Sequence, residues 1–146
     1  MLTEEHQQFY NANGYVVIRG LFSPEEVAHY RDYFMAMRAT GPLPLDDTSW
    51  YLNSGADDPL KKYPRIIQSH RWDDVSKRWL LDPRLNQCLT GLLGREPFAV
   101  QTMVYFKPAG GRGQALHQDN YYLKARPGTC IAAWMALDPC DEANGC

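Results

Sequence analysis

The short motif His117-Gln118-Asp119 restricts the backbone that this chain can adopt more than any other feature of the sequence. In an extended strand, side chains two residues apart point to the same face, so the imidazole and the carboxylate could meet. On a helix the same spacing would turn them to opposite sides. β-rich runs flank the motif, from Gln101 to Phe106 and from Cys130 to Leu137. The motif is therefore predicted to lie on a strand or at a strand end.

Two interpretations of the pair fit these residues. His117 and Asp119 could form a hydrogen-bonded pair on a partly exposed strand surface. They could instead be two of the three ligands of a 2-His-1-carboxylate site, which holds Fe(II) on one face and leaves the other open. The other histidines, His6, His29 and His70, have no acidic residue two positions after them. The residues alone leave both interpretations open.

The composition is that of a globular domain with an ordinary core. The chain has 146 residues, of which 45% are hydrophobic and 22% charged, which indicates one domain. A net charge of −2 gives no reason to expect nucleic acid or an anionic membrane as a partner. No apolar run approaches the roughly 20 residues of a membrane span. The polar start, from Met1 to His6, has no secretory pattern, so we expect a cytoplasmic protein.

Four cysteines are spread along the chain: Cys88, Cys130, Cys140 and Cys146. None forms a Cys-x-x-Cys pair, which argues against a zinc ribbon or a thioredoxin-type centre. We expect reduced thiols, some of them in the core.

Helix signals dominate the first part of the chain. Thr3 can cap a helix that reaches about Asn13 and ends at Gly14, with its aromatic residues Phe9 and Tyr10 turned inward. The run Ser23-Pro24-Glu25-Glu26 combines a capping serine, a proline at the first helical position and a glutamate three residues on. It predicts a helix to about Arg38. A third helix is predicted from Asp82-Pro83 to Gly94.

Strand and loop signals occupy the remaining segments. Strands are predicted at Tyr15–Ile18, Ile66–Ile67, Phe98–Phe106 and Trp134–Leu137. Thr40 to Tyr63 is predicted to be a long loop, in which Trp50 and Tyr51 either pin the loop to the body or cover a substrate. The glycine-rich run from Pro108 to Gly113 lacks the lysine and Ser/Thr of a phosphate-binding loop. Helices followed by strands indicate an α+β fold.

The motif and its surroundings resemble the phytanoyl-CoA dioxygenase family of Fe(II)- and 2-oxoglutarate-dependent oxygenases, which includes ectoine hydroxylase-like members. The resemblance rests on these stretches: Gly113–Leu123, Gln101, Lys107, Ala133–Asp138, Glu142–Cys146, Asn13–Val17 and Phe22–Glu25. It implies a double-stranded β-helix, a jelly-roll or cupin-like core, with N-terminal helices packed outside. It further implies that 1–146 is the N-terminal portion of one oxygenase domain. The helical part would span about 1–96 and the start of the β-helix core about 97–146.

The same resemblance implies roles for individual residues. His117 and Asp119 match the first two iron ligands. Lys107 matches a position that assists in binding 2-oxoglutarate, for which an ammonium is suited. Gln101 matches a position facing the co-substrate or substrate, and Trp134 one facing the pocket. For Gln101 a sheet side chain paired with a neighbour, and for Trp134 an ordinary core tryptophan, remain alternatives.

The reaction implied is hydroxylation of a C–H bond in a small molecule by molecular oxygen, with Fe(II) as cofactor and 2-oxoglutarate as co-substrate. The family's distal iron-binding histidine and its 2-oxoglutarate-binding arginine would lie beyond Cys146, and no histidine follows Asp119. His70 is not expected to complete the site. We therefore expect a fragment that is inactive alone, or else a natural truncation. The alternative function is a non-catalytic module that binds a small ligand.

Overall fold

The computed structural model describes residues 1–46, 65–109 and 115–144, and the predictions for Trp50, Tyr51, Gly113 and Cys146 lie outside them. Helices and one small antiparallel sheet make up these ranges, so the α+β class is confirmed at that level. The helices are α1 (Glu4–Asn13), α2 (Pro24–Ala39), α3 (Asp74–Leu80), α4 (Pro83–Leu93) and α5 (Asp119–Leu123), with a 3₁₀ turn at Ser69–Arg71. The strands are β1 (Arg65–Ile67) and β2 (Met103–Tyr105). No helix of the described ranges is long and apolar enough to cross a membrane.

The predicted starts of the first two helices are confirmed by their hydrogen bonds. At α1, the Thr3 hydroxyl accepts from the His6 N–H, and His6 Nδ1 accepts from the Thr3 N–H. At α2, Ser23 and Glu26 exchange the same two bonds, with the Ser23 N–H donating to Glu26 Oε2 at 2.8 Å. Gly14 ends α1 at a φ of 78°, which a glycine adopts without strain.

Aspartates cap the two helices that follow β1. Asp73 accepts from the Ser76 N–H at the start of α3, a helix that the sequence patterns did not predict. Asp82 accepts from the Arg84 N–H at the start of α4, where a helix was predicted. Gly94 ends α4 at a φ of 68°, also as predicted.

The core lies where α2 meets the two-stranded sheet. β1 and β2 pair antiparallel, with Ile66 opposite Val104. These two residues are buried together with Phe34 of α2 and Phe106, which follows β2. Partly buried side chains surround this cluster: Tyr30, Tyr33, Met37, Leu43, Trp79 and Leu137. The core therefore joins residues from α2, the sheet, α3 and the last described segment.

Polar ties hold the core elements in place. Arg38 forms two hydrogen bonds to Asp46, at 2.8 and 3.0 Å, with both side chains buried. The Tyr33 hydroxyl donates to Asp73 at 2.5 Å, which raises the pKa of Tyr33 to about 12. Arg84 pairs with both Glu26 and Asp82, and lies over the ring of Phe22. These contacts fasten α2 to α3 and α4.

Three of the predicted strands differ from the structure. Tyr15–Ile18 is not a strand, although Val16 and Ile18 are half-buried while Tyr15 and Val17 are exposed. Only Met103–Tyr105 of Phe98–Phe106 pairs, and Phe98 is exposed. The physical reason is that a strand needs a hydrogen-bonded neighbour, whereas alternating side chains only require an extended chain.

The segment Trp134–Leu137 is likewise not a strand, yet it packs on the core. Leu137 contacts the core cluster, and the Trp79 indole N–H points at the Met135 sulfur at 3.2 Å. Phe9 corrects a further expectation, because it is exposed and its ring packs edge-on against Tyr15 rather than in the core.

Candidate functional site

His117 and Asp119 meet at a turn into a helix, not on a strand. Residues 115–118 are coil, and Asp119 is the first residue of α5. The intervening Gln118 is extended, with φ −111° and ψ 120°. One extended residue is enough to turn its two neighbours to the same side. The predicted convergence therefore occurs, while the predicted strand is wrong because residues 115–118 take part in no ladder.

The hydrogen bonds of His117 determine which ring nitrogen faces Asp119. Nδ1 lies 2.8 Å from the Ala115 carbonyl oxygen, and Nε2 lies 3.1 Å from Asp119 Oδ1. A carbonyl can only accept, so Nδ1 carries the proton of that bond. In a neutral ring, the Nε2 lone pair then faces the carboxylate. A histidine that binds a metal typically has its second nitrogen anchored in this way.

The donor pair fits a divalent cation such as Fe(II). Neighbouring ligands at about 2.1 Å from an octahedral cation are separated by about 3.0 Å. The distance of 3.1 Å between Nε2 and Oδ1 matches that separation. Without an ion, the same geometry serves a protonated imidazole that donates to Asp119. Within the described residues, no three His, Cys, Asp or Glu side chains form a group able to hold a metal.

An open cavity of about 410 Å³ lies beside the pair. Its lining, among the described residues, is His117, Gln118, Asp119, Asn120, Gly128 and Cys130. The side chains of His117 and Asp119 are 31% and 45% exposed, so both are accessible to a small molecule. The ring of Tyr122 stands edge-on to the His117 ring at 6.1 Å between centroids, and Tyr121 packs against Tyr122. These tyrosines provide the aromatic wall that the sequence suggested.

Three of the lining residues were missed by the sequence analysis. Cys130 was assigned only as a reduced thiol, and Asn120 and Gly128 were given no role. Asn120 Oδ1 accepts from the Ala125 N–H at 2.7 Å and so fixes the loop after α5. An asparagine directly after the motif is a local signal for such a loop contact, because its side chain bonds readily to nearby backbone.

Gln101 and Lys107 lie on one face of the β2 segment. Thr102, Val104 and Phe106 are buried, so the alternate residues, including Gln101 and Lys107, share the opposite face. The Lys107 ammonium lies 5.8 Å from the centre of the Tyr105 ring. Neither residue is among the described residues that line the cavity, and Trp134, which is 75% exposed, is not among them either. The structure thus brings His117 and Asp119 together without these three.

His70 lies in a different environment from the pair. Its Nδ1 is 2.8 Å from the hydroxyl of Thr102, which is buried. Burial, and secondarily the neighbouring Arg71 charge, lowers the pKa of His70 below its ordinary value. All four histidines of the sequence lie in the described ranges, and none of the other three joins His117 and Asp119 in a three-residue group.

Comparison with known proteins assigns the chain to a family. The family model "Phytanoyl-CoA dioxygenase (PhyH)" matches residues 10–146, so the chain belongs to the phytanoyl-CoA dioxygenase family. Phytanoyl-CoA dioxygenase 1 of Oryza sativa subsp. japonica is 26% identical over 175 residues, covering 99% of this chain. The peroxisomal phytanoyl-CoA dioxygenases of Bos taurus and Homo sapiens are 28% and 27% identical, each covering 100% of this chain.

The relatives are longer than this chain. The chain spans 62% of the rice protein and 46% of the bovine and human proteins. No solved structure matches it significantly. The family is one of dioxygenases, and the resemblance stated from the sequence is therefore confirmed.

Proposed function

We propose that the protein to which this chain belongs is an Fe(II)- and 2-oxoglutarate-dependent dioxygenase that hydroxylates a C–H bond of a small molecule. The observation that carries the proposal is the approach of His117 Nε2 to Asp119 Oδ1 at 3.1 Å, with Nδ1 anchored on the Ala115 carbonyl. Membership of a dioxygenase family supports it. The relatives' names mention phytanoyl-CoA, and whether the substrate here is related is part of what must be tested.

The chain's own residues have defined tasks in this proposal. His117 and Asp119 hold the metal, and the Ala115 carbonyl keeps the imidazole in the tautomer that leaves Nε2 available. Asp119 occupies a ligand position that would otherwise be open to another anion. When bound, Fe(II) supplies oxygen activation, with 2-oxoglutarate oxidised to succinate and CO₂ as one oxygen atom enters the substrate C–H bond. The second histidine of the triad comes from outside the arrangement described.

Three further assignments belong to the proposal. Lys107 assists in binding a 2-oxoglutarate carboxylate, and Gln101, on the same face of the β2 segment, contacts the co-substrate or substrate. Trp134 faces the pocket of the assembled enzyme. Because Lys107 and Trp134 are both exposed here, each is accessible for such a contact.

The finer fold and the compartment are also proposed. We infer that residues from about 97 onward begin a double-stranded β-helix core, with residues 1–96 as its helical part, in one domain. β2 and the extended segment that docks Leu137 on the core are compatible with this. We propose a cytoplasmic location, which imaging of a fluorescent fusion tests against the peroxisomes named for the mammalian relatives.

Succinate formation tests the function directly. The whole protein, with Fe(II), 2-oxoglutarate and O₂, should form succinate, and a library of small metabolites should identify a substrate that gains one oxygen. His117→Ala and Asp119→Ala should abolish turnover. His29→Ala, at an exposed histidine of α2, is the matched control and should keep it. Equal activity in the His117 and His29 variants would exclude the assigned ligand.

The non-catalytic module is the second candidate, and one observation favours it. Among the described residues the pair has no third ligand, although the cavity is present. A module would bind a small ligand in this cavity with equal affinity before and after chelation of metals, and would form no succinate in its complete form.

A further inference from the structure

The Asn120 side chain faces the same cavity as the His117–Asp119 pair, and the proposed chemistry does not use it. Its Oδ1 accepts from the Ala125 N–H at 2.7 Å. A backbone N–H can only donate, so this contact assigns the oxygen and nitrogen ends of the amide. The backbone carbonyl of Asn120 also accepts, from the Lys124 N–H at 2.9 Å. Asn120 is therefore fixed at two points, and its Nδ2 is turned away from Ala125.

The Nδ2 atom lies at the cavity wall next to Gly128. A β-carbon added at Gly128 would lie 3.5 Å from Nδ2, and both residues line the cavity. Across the described ranges, no acceptor is in hydrogen-bonding range of Nδ2, and Asn120 is only half-buried. The side chain thus offers N–H donors to the space beside the candidate metal ligands.

The charge of the cavity lining selects the kind of acceptor that fits. Asp119 contributes a carboxylate, and no lysine or arginine is among the described lining residues. A ligand carboxylate placed at Nδ2 would meet the Asp119 charge with no lining cation to offset it. A neutral carbonyl oxygen accepts the same hydrogen bond without that repulsion.

We propose that Asn120 is a specificity-determining residue that binds a neutral carbonyl oxygen, such as that of an amide or ester, on the molecule occupying this cavity. The inference rests on the proposed function for the identity of this cavity as the substrate site, and it adds the class of substrate. The hydrogen bond holds the carbons next to the carbonyl beside His117 and Asp119. The Ala125 contact matters because it prevents the amide from turning its oxygen into the cavity.

Side-chain amide NMR of the ¹⁵N-labelled 146-residue chain tests the binding without metal or turnover. The probes are N-methylhexanamide, which has a neutral carbonyl, and hexanoate, which has a carboxylate on the same alkyl chain. The Asn120 NH₂ pair should shift saturably with the amide and not with hexanoate. The exposed Asn86 NH₂ pair on α4 is the internal control and should not move.

The variant Asn120→Asp separates binding from loop structure. Aspartate retains an acceptor for the Ala125 N–H but has no N–H to donate. We expect the Ala125 amide signal to stay in place while the dissociation constant of N-methylhexanamide rises about fivefold or more, as the loss of one hydrogen bond implies. A nuclear Overhauser contact between the probe N-methyl group and the Asn120 NH₂ in the unmutated chain supplies the same evidence if the variant does not fold.

Each outcome decides the matter. No saturable shift with the amide overturns the proposal, as does an equal shift with hexanoate or with the Asn86 pair. Succinate formation by the whole protein is measured separately. A failure there removes the proposed function while the NMR result stands, and a failed NMR titration leaves the dioxygenase assignment intact.

Discussion

At the residue scale, the contact between Arg38 and Asp46 is the most consequential polar interaction away from the site. The two side chains are 1% and 6% exposed and meet through two hydrogen bonds. A buried charge that loses its partner cannot regain its hydration. The pair joins the end of α2 to the chain that follows Leu43, whose N–H also donates to Asp46.

We expect Asp46→Ala to lower the free energy of unfolding by about 3 kcal/mol, because it leaves the Arg38 guanidinium buried without this carboxylate. Asp32→Ala removes an exposed carboxylate that pairs with Arg31, and should cost no more than about 1 kcal/mol. Urea unfolding of both variants measures the difference. Similar losses in the two variants would contradict the prediction.

His70 gives the protein a stability that depends on pH. Burial lowers its pKa in the folded state below the ordinary 6.5. Between those two values the unfolded chain binds more protons than the folded one, so stability falls as the pH drops. The contribution is fully present above pH 6.5, and His70→Gln should remove this part of the decline in urea titrations. His29→Gln should retain it, and an unchanged profile in the His70 variant would refute the assignment.

Residue-scale geometry was partly accessible from the sequence. The approach of His117 to Asp119 follows from their spacing and needs only one extended residue between them. The anchoring by Ala115 and the orientation of Asn120 depend on how the loop closes after α5, which spacing does not encode.

At the element scale, helix boundaries were predicted well because their signals are local. Thr3, Ser23 and Asp82 each bond to a backbone N–H within three residues, so a short stretch of sequence contains both partners. Strands were predicted poorly because their partners are distant. Tyr15–Ile18 has the composition of a strand, but β propensity reflects packing against neighbours more than backbone preference.

The cap of α4 can be separated from its ion pair. Asp82→Asn keeps an acceptor for the Arg84 N–H but loses the charge that faces the guanidinium, while Asp82→Ala loses both. We expect the alanine variant to be less stable than the asparagine variant by about 1 kcal/mol, the usual value of an N-cap. Thermal and urea unfolding measure the difference.

The matched control is Asp74, an exposed aspartate in the first turn of α3 that is not its cap. Asp74→Asn and Asp74→Ala should differ by less than about 0.5 kcal/mol. A difference at Asp74 as large as that at Asp82 would show that charge near a helix start, rather than the cap bond, sets the effect.

At the scale of the whole molecule, metal binding by this chain should be weak. Two ligands on adjacent turns of one segment lack the third side chain that completes a facial site, and water adds no preorganisation. We expect the 146-residue chain to lose Fe(II) on dialysis, and His117→Ala to change the free energy of unfolding by less than about 0.5 kcal/mol, since the imidazole is partly exposed. Calorimetric titration with Mn(II) checks the first point. Tight 1:1 binding that the substitution abolishes would reveal another ligand, with His70 the first candidate.

The sequence also predicted the class of the whole molecule, an α+β arrangement with the helices first. That order is visible in hydrophobic periodicity. The meeting of α2, the sheet and Leu137 in one core was not predictable, because it depends on contacts between residues as far apart as Phe34 and Phe106.

The pairing of β1 with β2 has a consequence for how fast the chain folds. The ladder joins Arg65 to Tyr105 and Ile67 to Met103, so residues 68–102, including α3 and α4, form a closed loop. Closing such a loop costs entropy before any strand contact forms, whereas the two helices inside it form from near neighbours. Helices that shorten the loop ease that closure. We therefore expect the search for the ladder to limit the folding rate, so that Val104→Ala slows folding while Asp82→Ala mainly accelerates unfolding.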